Sequence, residues 1–311
     1  MILVSVFSKK KNSNTNTSTL QSTTPETICK PYDWNSTGIV VASGDHFRGY
    51  TIDDQLNIYT LCHNRPKIKK WMPGVAQPLI ITVADVPQLH PLNGLFFHST
   101  SNSLYFSDYY NTVFKLDLER NKTVKVAFGN GHGSQLNQIK AVLDLFVDKM
   151  DNIYVLDSFN SRVLKWPVNG TSAVLVAAGG GNRNGTDQLS SFPTGAPQFV
   201  VDIDSNRIYI VDSANHRVQQ YTIGSTNGST ILQGNMSHFA YPRSVAYEYI
   251  KKFRPGSIFS ATIVAHDAIS DLAMNELYAL QFDHIGNLYA NDFQNQCILK
   301  FAVTNSSCSS I

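Results

Sequence analysis

The chain has 311 residues, of which 42% are hydrophobic and only 15% charged, and its formal net charge is +2 at pH 7. A chain of this length can bury about three quarters of its unfolded surface, and an all-β unit of this size can close as one domain. The low charge density argues against a nucleic-acid partner, which would need a strong basic field, and the short Lys/Arg clusters are interpreted as solvated outer faces.

Residues 1–28 are predicted to form a disordered amino-terminal segment. The stretch 12–27 is rich in Ser, Thr and Asn and poor in hydrophobic residues, a composition typical of disordered chains or of a glycosylated stalk. The apolar run MILVSVF before it is too short to span a bilayer and lacks the charged region and cleavage site of a signal peptide. We therefore expect that no complete transmembrane segment is present and that the export signal is missing or truncated.

Residues 29–311 are predicted to be a single β-propeller domain. Between 37 and 303, short β-branched and aromatic runs alternate with turns rich in Asn, Asp, Ser and Gly, which predicts antiparallel hairpins. Two sequence markers recur six times each, one exemplified by IKKW (68–71), VLKW (163–166) and ILKF (298–301), the other by IVVASG (39–44), VLVAAG (174–179) and TIVAHD (262–267). A period of about 40–50 residues with four short strands predicts an all-β, six-bladed β-propeller of four-stranded antiparallel blades.

The two ends of this region predict how the ring closes. With the strands of a blade named A to D from the axis outward, residues 37–43 carry the D marker and residues 297–303 carry the C marker. We expect 37–43 to complete the last blade, because the last C strand would otherwise expose an unpaired edge.

Four cysteines are compatible with this closure. It would bring Cys29 and Cys308 to the same missing turn, and it would place Cys62 and Cys297 at B–C turns of neighbouring blades. A Cys29–Cys308 bridge would close a very long loop and contribute ~4–5 kcal/mol on the chain-entropy model. A second bridge between Cys62 and Cys297 is the other candidate. Three pairings remain open, as do four unpaired thiols.

Blade five departs from the pattern. SVAYEY (244–249) fits an A strand, but IKKF (250–253) already carries the C marker, so a B strand is absent. Parallel strands cannot be joined by so short a connection. We expect a truncated blade in which 244–253 is one fused strand paired with a D strand at 260–265. The alternative is a deletion in the sequence itself.

Two hairpins carry a family resemblance. NIYVLDSFNSRV (152–163) and RIYIVDSANHRV (207–218) resemble the NHL repeat, and the loop GNGHGSQLNQ (129–138) is similar to loops of its extracellular members. The resemblance covers roughly 37–303 and implies the propeller fold. It leaves the function open, because propellers of this family serve as binding platforms, lyases and receptor ectodomains.

The candidate ligand-binding residues lie on one rim. In a propeller the D–A and B–C loops share a face, and loops on a rigid scaffold carry function. This rim is predicted to hold His132, Asn182, Arg183, Asp187, His238, Arg243, His266 and Asp267. An aspartate recurs at the end of the B strands and is interpreted as part of the scaffold. The four copies are Asp108, Asp157, Asp212 and Asp292, and Arg162 and Arg217 are the expected partners of the second and third.

Sequence triplets for N-glycosylation indicate an exported protein. Besides Asn16, the acceptor candidates are Asn35, Asn121, Asn169, Asn184, Asn227, Asn235 and Asn305. We expect an extracellular or cell-surface location, with a cytosolic propeller as the alternative.

The predicted function is a non-catalytic binding module for a protein, glycan or small ligand, with no cofactor. Nine histidines are present, but none shows the close spacing of a helical zinc site. Because a propeller can gather ligands from separate blades, the alternative is a lyase or hydrolase with a metal in the central channel. A nonfunctional paralogue is the third hypothesis, and the sequence indicates no oligomeric state.

Overall fold

The computed structural model describes residues 2–7, 27–29, 33–34, 37–62, 67–83, 86, 92–108, 112–140, 142–181, 184–189, 198–233, 244–249, 260–266, 277–304 and 308–310. Its strands in chain order are β1 (Ile2–Phe7), β2 (Thr27–Cys29), β3 (Asp33–Trp34), β4 (Ile39–Ser43), β5 (Phe47–Ile52), β6 (Ile58–Cys62), β7 (Ile68–Trp71), β8 (Leu79–Ile81), β9 (Leu92–His98), β10 (Ser103–Asp108), β11 (Thr112–Asp117), β12 (Lys122–Phe128), β13 (Val142–Val147), β14 (Ile153–Asp157), β15 (Arg162–Trp166), β16 (Val174–Ala178), β17 (Phe199–Asp202), β18 (Arg207–Asp212), β19 (Arg217–Thr222), β20 (Gly228–Gln233), β21 (Ser244–Tyr249), β22 (Ser260–His266), β23 (Leu277–Phe282), β24 (Leu288–Asp292), β25 (Cys297–Phe301), β26 (Val303–Thr304) and β27 (Cys308–Ser310). Single 3₁₀ turns are η1 (Ser99–Ser101), η2 (Ser158–Asn160) and η3 (Ser213–Asn215).

Five four-stranded antiparallel sheets form the blades. Blade one is β5–β8, blade two β9–β12, blade three β13–β16, blade four β17–β20, and the closing blade is β23, β24, β25 and β4. The A strands β5, β9, β13 and β17 contact one another in this order, β23 contacts β5, and β21 contacts both β17 and β23. The all-β propeller of four-stranded blades is thus confirmed, whereas the predicted number of six is wrong, because the described residues form five four-stranded blades.

A three-stranded sheet stands where a truncated fifth blade was expected. Strand β21 pairs antiparallel with β22, from Ser244 opposite His266 to Tyr249 opposite Ala261, which agrees with the expected pairing; residues 250–253 of the predicted fused strand lie outside the described residues. Strand β1 adds to the far side of β22. The sheet contacts both β17 and β23 through β21, so it lies between blade four and the closing blade. The described residues of this sheet form three strands, so they do not make a sixth four-stranded blade.

The prediction of a disordered segment over 1–28 did not anticipate β1 and β2. Strand β1 supplies an edge to the three-stranded sheet, and β2 pairs with β27 near the carboxyl end. Residues 8–26 lie outside the described residues.

The predicted ring closure is confirmed. Strand β4 pairs antiparallel with β25, from Ile39 opposite Lys300 to Ser43 opposite Cys297. The N–H of Gly44 then donates to the carbonyl of Gln296 at 3.0 Å. The same two chain segments stay paired beyond the blade, because β3 pairs antiparallel with β26 and β2 with β27. The edge of β25 is therefore paired with the amino-terminal segment, as the closure requires.

Apolar side chains pack between neighbouring blades. The ring of Phe128 in blade two lies 4.6 Å from that of Trp166 in blade three. In blade one, the indole N–H of Trp71 donates to Thr60 Oγ1 at 3.0 Å, so its one polar atom is satisfied while the ring is buried. Aromatic burial of this kind contributes most of the core energy.

A turn motif that the sequence analysis did not single out recurs at the A–B turns. An aspartate there accepts the backbone N–H of an asparagine four residues later, at 2.8–3.0 Å, and also hydrogen-bonds to that asparagine's amide and to a tyrosine hydroxyl six residues later. The three copies begin at Asp53, Asp148 and Asp283.

Lysines of the C strands lie over the rings of B-strand tyrosines, with Nζ 5.2–5.6 Å from the ring centroid. The pairs are Lys70–Tyr59, Lys115–Tyr105, Lys165–Tyr154 and Lys300–Tyr289.

The aspartates at the B–C turns hold the loops between blades, as their interpretation as scaffold implies. In blade three, Arg162 Nε donates to buried Asp157 at 2.9 Å, and the guanidinium also binds the carbonyls of Ser134, Gln135 and Gln138. In blade four, Arg217 pairs with Asp212 at 2.7 Å and binds three carbonyls of the loop 184–188 in the same way. The arginines thus anchor both glycine-rich loops.

Replacing Arg162 with Met should destabilise the protein by about 3–5 kcal/mol, because the Asp157 charge would stay buried without its partner and three carbonyls would lose their donor. The measurement is urea unfolding at pH 7. Arg120→Met is the matched control, because Arg120 pairs with Asp117 on the exposed surface and should change stability little. Similar losses in both variants would contradict the anchoring role of Arg162.

A second prediction concerns the closure of the ring by the pairing of β4 with β25. Ile39 and Lys300 are directly opposite in the closing blade, as are Leu79 and Lys70 in blade one. A disulfide introduced as Ile39→Cys/Lys300→Cys would close a loop of most of the chain and stabilise by ~5 kcal/mol, against ~3 kcal/mol for Leu79→Cys/Lys70→Cys. Oxidised and reduced forms are compared by chemical unfolding. Equal gains from the two bridges would contradict a special role of β4 in closing the ring.

Candidate functional site

The A strands enclose a cavity of about 740 Å³ along the axis. It is lined by five stretches, which are 50–51, 95–100, 144–150, 198–204 and 280–282. These stretches run from the middle of the A strands to the A–B turns, where residues 99–100, 149–150 and 203–204 are exposed. The cavity is therefore a channel whose mouth lies on the A–B face.

The wall of the channel is mainly apolar. Equivalent positions in the five A strands, each opposite a B-strand tyrosine, are Thr51, Phe96, Phe146, Val200 and Gln281. The rings of Phe96 and Phe146 meet edge to face with centroids 5.1 Å apart. Phe282 lines the cavity beside this ring of residues.

Polar side chains tie the A strands of different blades together. Thr51 Oγ1 accepts the N–H of Phe97 at 3.1 Å, and the Gln198 amide makes two bonds, at 3.1 and 3.4 Å, to the backbone of Leu280. The inner edge of an A strand has no ladder partner, so its N–H and C=O groups need such side-chain partners. These contacts fix the spacing of the blades around the channel.

Asp144 is an ionisable residue in the channel wall that lies away from the A–B turns. It lies in a β-bulge of β13, where the register to β14 shifts between Val142 and Leu145; bulges re-aim side chains and are common near functional sites. Oδ1 accepts the N–H of Leu145 at 3.0 Å, and Oδ2 accepts the N–H of Phe199 in blade four at 3.2 Å. The side chain is partly exposed to the cavity that it lines.

Burial raises the pKa of the Asp144 carboxyl to about 7, although the two N–H donors act in the opposite direction. Desolvation disfavours the charged form, and two neutral hydrogen bonds do not offset it. The carboxyl consequently changes charge near neutral pH.

Two glycines make the close approach of the inner strands feasible. A Cβ added to Gly94 would lie 3.4 Å from backbone atoms of Asp144, and one added to Gly49 would lie 2.8 Å from the carbonyl oxygen of Asn93. The contact at Gly49 is shorter than Cβ atoms make in proteins, whereas the one at Gly94 is at the short end of ordinary van der Waals contact. Glycine at these positions lets β5 and β9 pass close beside the strand that follows each in the ring.

The channel mouth combines charge with exposed apolar groups. Met150 and Ile203 are 67% and 38% exposed, and Ile285 occupies the corresponding turn of the closing blade at 53%. His98 is buried beside the mouth, with Nδ1 2.8 Å from Ser101 Oγ, and burial lowers its pKa. Its Nε2 has no hydrogen-bond partner among the described residues.

The predicted rim residues are not assembled around this channel. Of the eight, the structure describes the side chains of His132 and Asp187, which lie on two different D–A loops, and neither lines the cavity. His266 ends β22, and Asn182, Arg183, His238, Arg243 and Asp267 lie outside the described residues. The D–A loops and the A–B turns are at opposite ends of the blades, so the rim remains a separate prediction.

Asp144 was missed by the sequence analysis, although a signal was present. It is the one charged residue in the apolar run AVLDLFV (141–147), whereas the equivalent positions in blades one and two are Gly49 and Gly94. The backbone pairing of an inner strand offers no partner to a charged side chain, so such a side chain needs hydrogen-bond donors from elsewhere.

The candidate bridge between Cys62 and Cys297 is not formed, because both are free, buried thiols. Cys62 Sγ instead lies 3.6 Å from Asp45 Oδ2, and burial raises its pKa to about 11. Burial is also the main cause that raises the pKa of Cys297. Cys29 and Cys308 are directly opposite in the β2–β27 ladder, so their pairing remains a prediction.

Four glycosylation candidates are exposed. Asn121, Asn169 and Asn227 lie in C–D turns, and Asn184 lies in a D–A loop. Asn16, Asn35, Asn235 and Asn305 fall outside the described residues.

Within the described part of the chain, no three His, Cys, Asp or Glu side chains come together as metal ligands. The same residues contain no helix long and apolar enough to cross a membrane.

Comparison with known proteins identifies the repeat. The NHL repeat family matches residues 199–221, which form β17, β18 and most of β19. This match and the shared fold support an NHL-type β-propeller. No curated protein matches the sequence.

Solved structures share the fold of this NHL propeller at low identity. A Bacteroides thetaiotaomicron protein of unknown function has a TM-score of 0.60 at 13% identity, covering 87% of this chain and 73% of its own. A structure named streptogramin B lyase has 0.53 at 13% identity, covering 88% and 98%. An auxiliary nutrient binding protein from B. thetaiotaomicron has 0.51 at 14%, covering 85% and 61%.

The Asp144 carboxyl should make stability depend on pH. Its folded-state pKa lies above the unfolded value of about 3.9, so the folded protein retains a proton that the unfolded chain releases. Stability should therefore fall as pH rises from about 4 to 7 and level off above that. Between pH 5 and 8 the wild type should lose about 1–3 kcal/mol more than Asp144→Asn, measured by urea unfolding.

The control for this experiment is Asp204→Asn, which alters an exposed carboxylate at the channel mouth and should keep the wild-type response. An unchanged pH response in Asp144→Asn would show that another group causes it.

Proposed function

We propose that this propeller is a non-catalytic binding module that holds a small ligand in its central channel. The observation that carries the proposal is the cavity of about 740 Å³ with an exposed mouth on the A–B face. Ligand sites are typically concave, 300–1,000 Å³ in volume and mostly apolar, with a few polar groups that fix orientation.

The channel meets each of these criteria. Phe96, Phe146 and Val200 supply apolar surface, whereas Asp144 and Gln198 are the polar groups beside them. The side-chain bonds between blades hold the wall in place, so little ordering would be needed on binding. Met150 and Ile203 extend apolar surface to the mouth.

The rim on the opposite face is a second, separate proposal. The eight rim candidates would contact a larger partner, a protein or a glycan. The support is the rigid anchoring of two D–A loops by Arg162 and Arg217, because rigid loops lose less entropy on binding.

We also propose an extracellular or cell-surface location. Four acceptor asparagines are exposed, and the register of β2 and β27 places Cys29 opposite Cys308. Disulfides persist in oxidising compartments, so a bridge here would agree with export.

A lyase or hydrolase with a metal at the axis is the second candidate function. The observation in its favour is the Asp144 carboxyl, since a pKa of about 7 suits a general base or acid at neutral pH. Turnover that depends on an added divalent metal, and that Asp144→Asn abolishes, would favour this function over binding.

Blocking the channel tests the binding proposal. N-phenyl-1-naphthylamine, a neutral apolar dye, should bind the wild type with increased fluorescence. Val200→Trp should lower the affinity for the dye at least about tenfold, because the indole would fill the channel. Ile80→Trp, on the exposed D strand of blade one, is the matched control. Gln281→Trp provides a second plug if Val200→Trp lowers the melting temperature. Equal dye binding by all variants would rule out the channel as the site.

Alkylation of unfolded protein from its native source tests the cysteine proposal. Without reduction two thiols should react, because Cys62 and Cys297 are free and Cys29 and Cys308 would be bridged; after reduction all four should react. Mass analysis with and without deglycosylation reports the glycans in the same sample. Four reactive thiols and no glycan would contradict the extracellular assignment.

A further inference from the structure

We infer that the channel selects an organic cation, an amine on an elongated apolar body. This inference rests on the proposed function, because it assumes that the channel binds a ligand at all. The amine would meet the carboxylate of Asp144 inside the channel, and the apolar body would extend toward the A–B face.

The first support is the position of Asp144. It lies on the bulge of β13, four residues before the A–B turn that begins at Asp148. At about 3.3 Å per residue, the carboxyl lies some 13 Å from the mouth. A ligand that reaches it needs a chain of about ten carbons.

The second support is that Asp144 lacks a cationic partner among the described residues. The carboxyl accepts two backbone N–H bonds, and each oxygen keeps a lone pair for a ligand donor. Titratable groups on the strands packed against β13 are His98, Tyr105, Asp108, Tyr154, Asp157 and Asp202. None of them acts on its pKa, which burial and the two N–H groups determine.

The third support is the sign of the charges along the channel. Among the described residues, four aspartates, Asp144, Asp148, Asp202 and Asp204, line the cavity together with one lysine, Lys149. Such a cavity attracts cations and disfavours anionic ligands, which would be brought close to like charges.

The fourth support comes from the aromatic side chains in the channel wall. Phe96 and Phe146 meet edge to face in the wall, and Phe282 lines the same cavity. Aromatic faces attract ammonium groups by cation–π interaction as well as alkyl chains by the hydrophobic effect. The aspartates of the described lining do not converge with other His, Cys or Glu side chains into a group of three, so they are a poor donor set for a divalent metal, which requires several oxygen ligands.

Protonation of Asp144 would then control affinity. Below pH 7 the carboxyl is largely neutral, so the amine would gain only a neutral hydrogen bond. Affinity for an amine should rise as pH increases through 7, whereas affinity for a neutral ligand of the same length should not change.

Three ten-carbon ligands test the inference: decylamine, decanol and decanoate, each below its micelle concentration and each displacing N-phenyl-1-naphthylamine at pH 8. In the wild type, decylamine should bind about 10–100-fold more tightly than decanol, as expected for a charge-assisted hydrogen bond. Decanoate should bind more weakly than decanol. Asp144→Asn should remove the preference for the amine and leave decanol binding within about twofold.

Two controls make the result decisive. Asp54→Asn alters an exposed carboxylate in the A–B turn of blade one that does not line the cavity; this variant should retain the preference for decylamine, and a loss of the preference there would overturn the assignment to Asp144. The wild type alone provides a second measurement, because decylamine should bind about 10–50-fold more weakly at pH 5 than at pH 8 while decanol is unaffected. This measurement applies even if Asp144→Asn does not fold.

The outcomes separate the two proposals. If decylamine and decanol displace the dye equally and without pH dependence, the selection of cations is wrong, but the channel still binds apolar ligands. If the dye and all three ligands fail to bind, the proposed function fails as well.

Discussion

The inner edge of each blade imposes the main constraint on this structure. An A strand pairs with one neighbour only, so its other row of N–H and C=O groups faces the axis without a ladder. Side chains from the adjacent blade meet this need, with Thr51, Asp144 and Gln198 bonding to the backbone of β9, β17 and β23. The bonds that complete the scaffold therefore also place polar atoms in the channel wall. The same side chains thus hold the blades together and line the candidate site.

Buried carboxylates in this protein have two distinct environments. Those at the turns are surrounded by donors, as at Asp157, which an arginine, an asparagine and a backbone N–H satisfy together. Asp144 accepts two backbone N–H bonds and faces a cavity lined by phenyl groups. Burial without a cationic partner leaves its ionisation unfavourable. The same residue type thus stabilises loops in one place and remains available for interaction in another.

Local sequence patterns predicted the repeating parts of the fold well. The hairpins, the order of strands and the closing role of residues 37–43 follow from markers within a few residues of each other. The three-stranded sheet could not be derived in this way, because β1 pairs with β22 across more than 250 residues and no periodicity links them. Asp144 was missed for a related reason: its environment depends on a bulge and on an amide from blade four, neither of which a single strand encodes.

The pairing of β4 with β25 has a consequence for biosynthesis. Residues 39–43 are synthesised well before their partner, residues 297–301, and translation at about 5–20 residues per second separates the two by roughly 10–50 s. During that interval the backbone N–H and C=O groups of the β4 segment have no ladder partner. Ile39 and Val40 remain exposed in the finished blade, so what the late partner supplies is backbone pairing, and the closing blade can be completed only after the strands of the other four blades have been made.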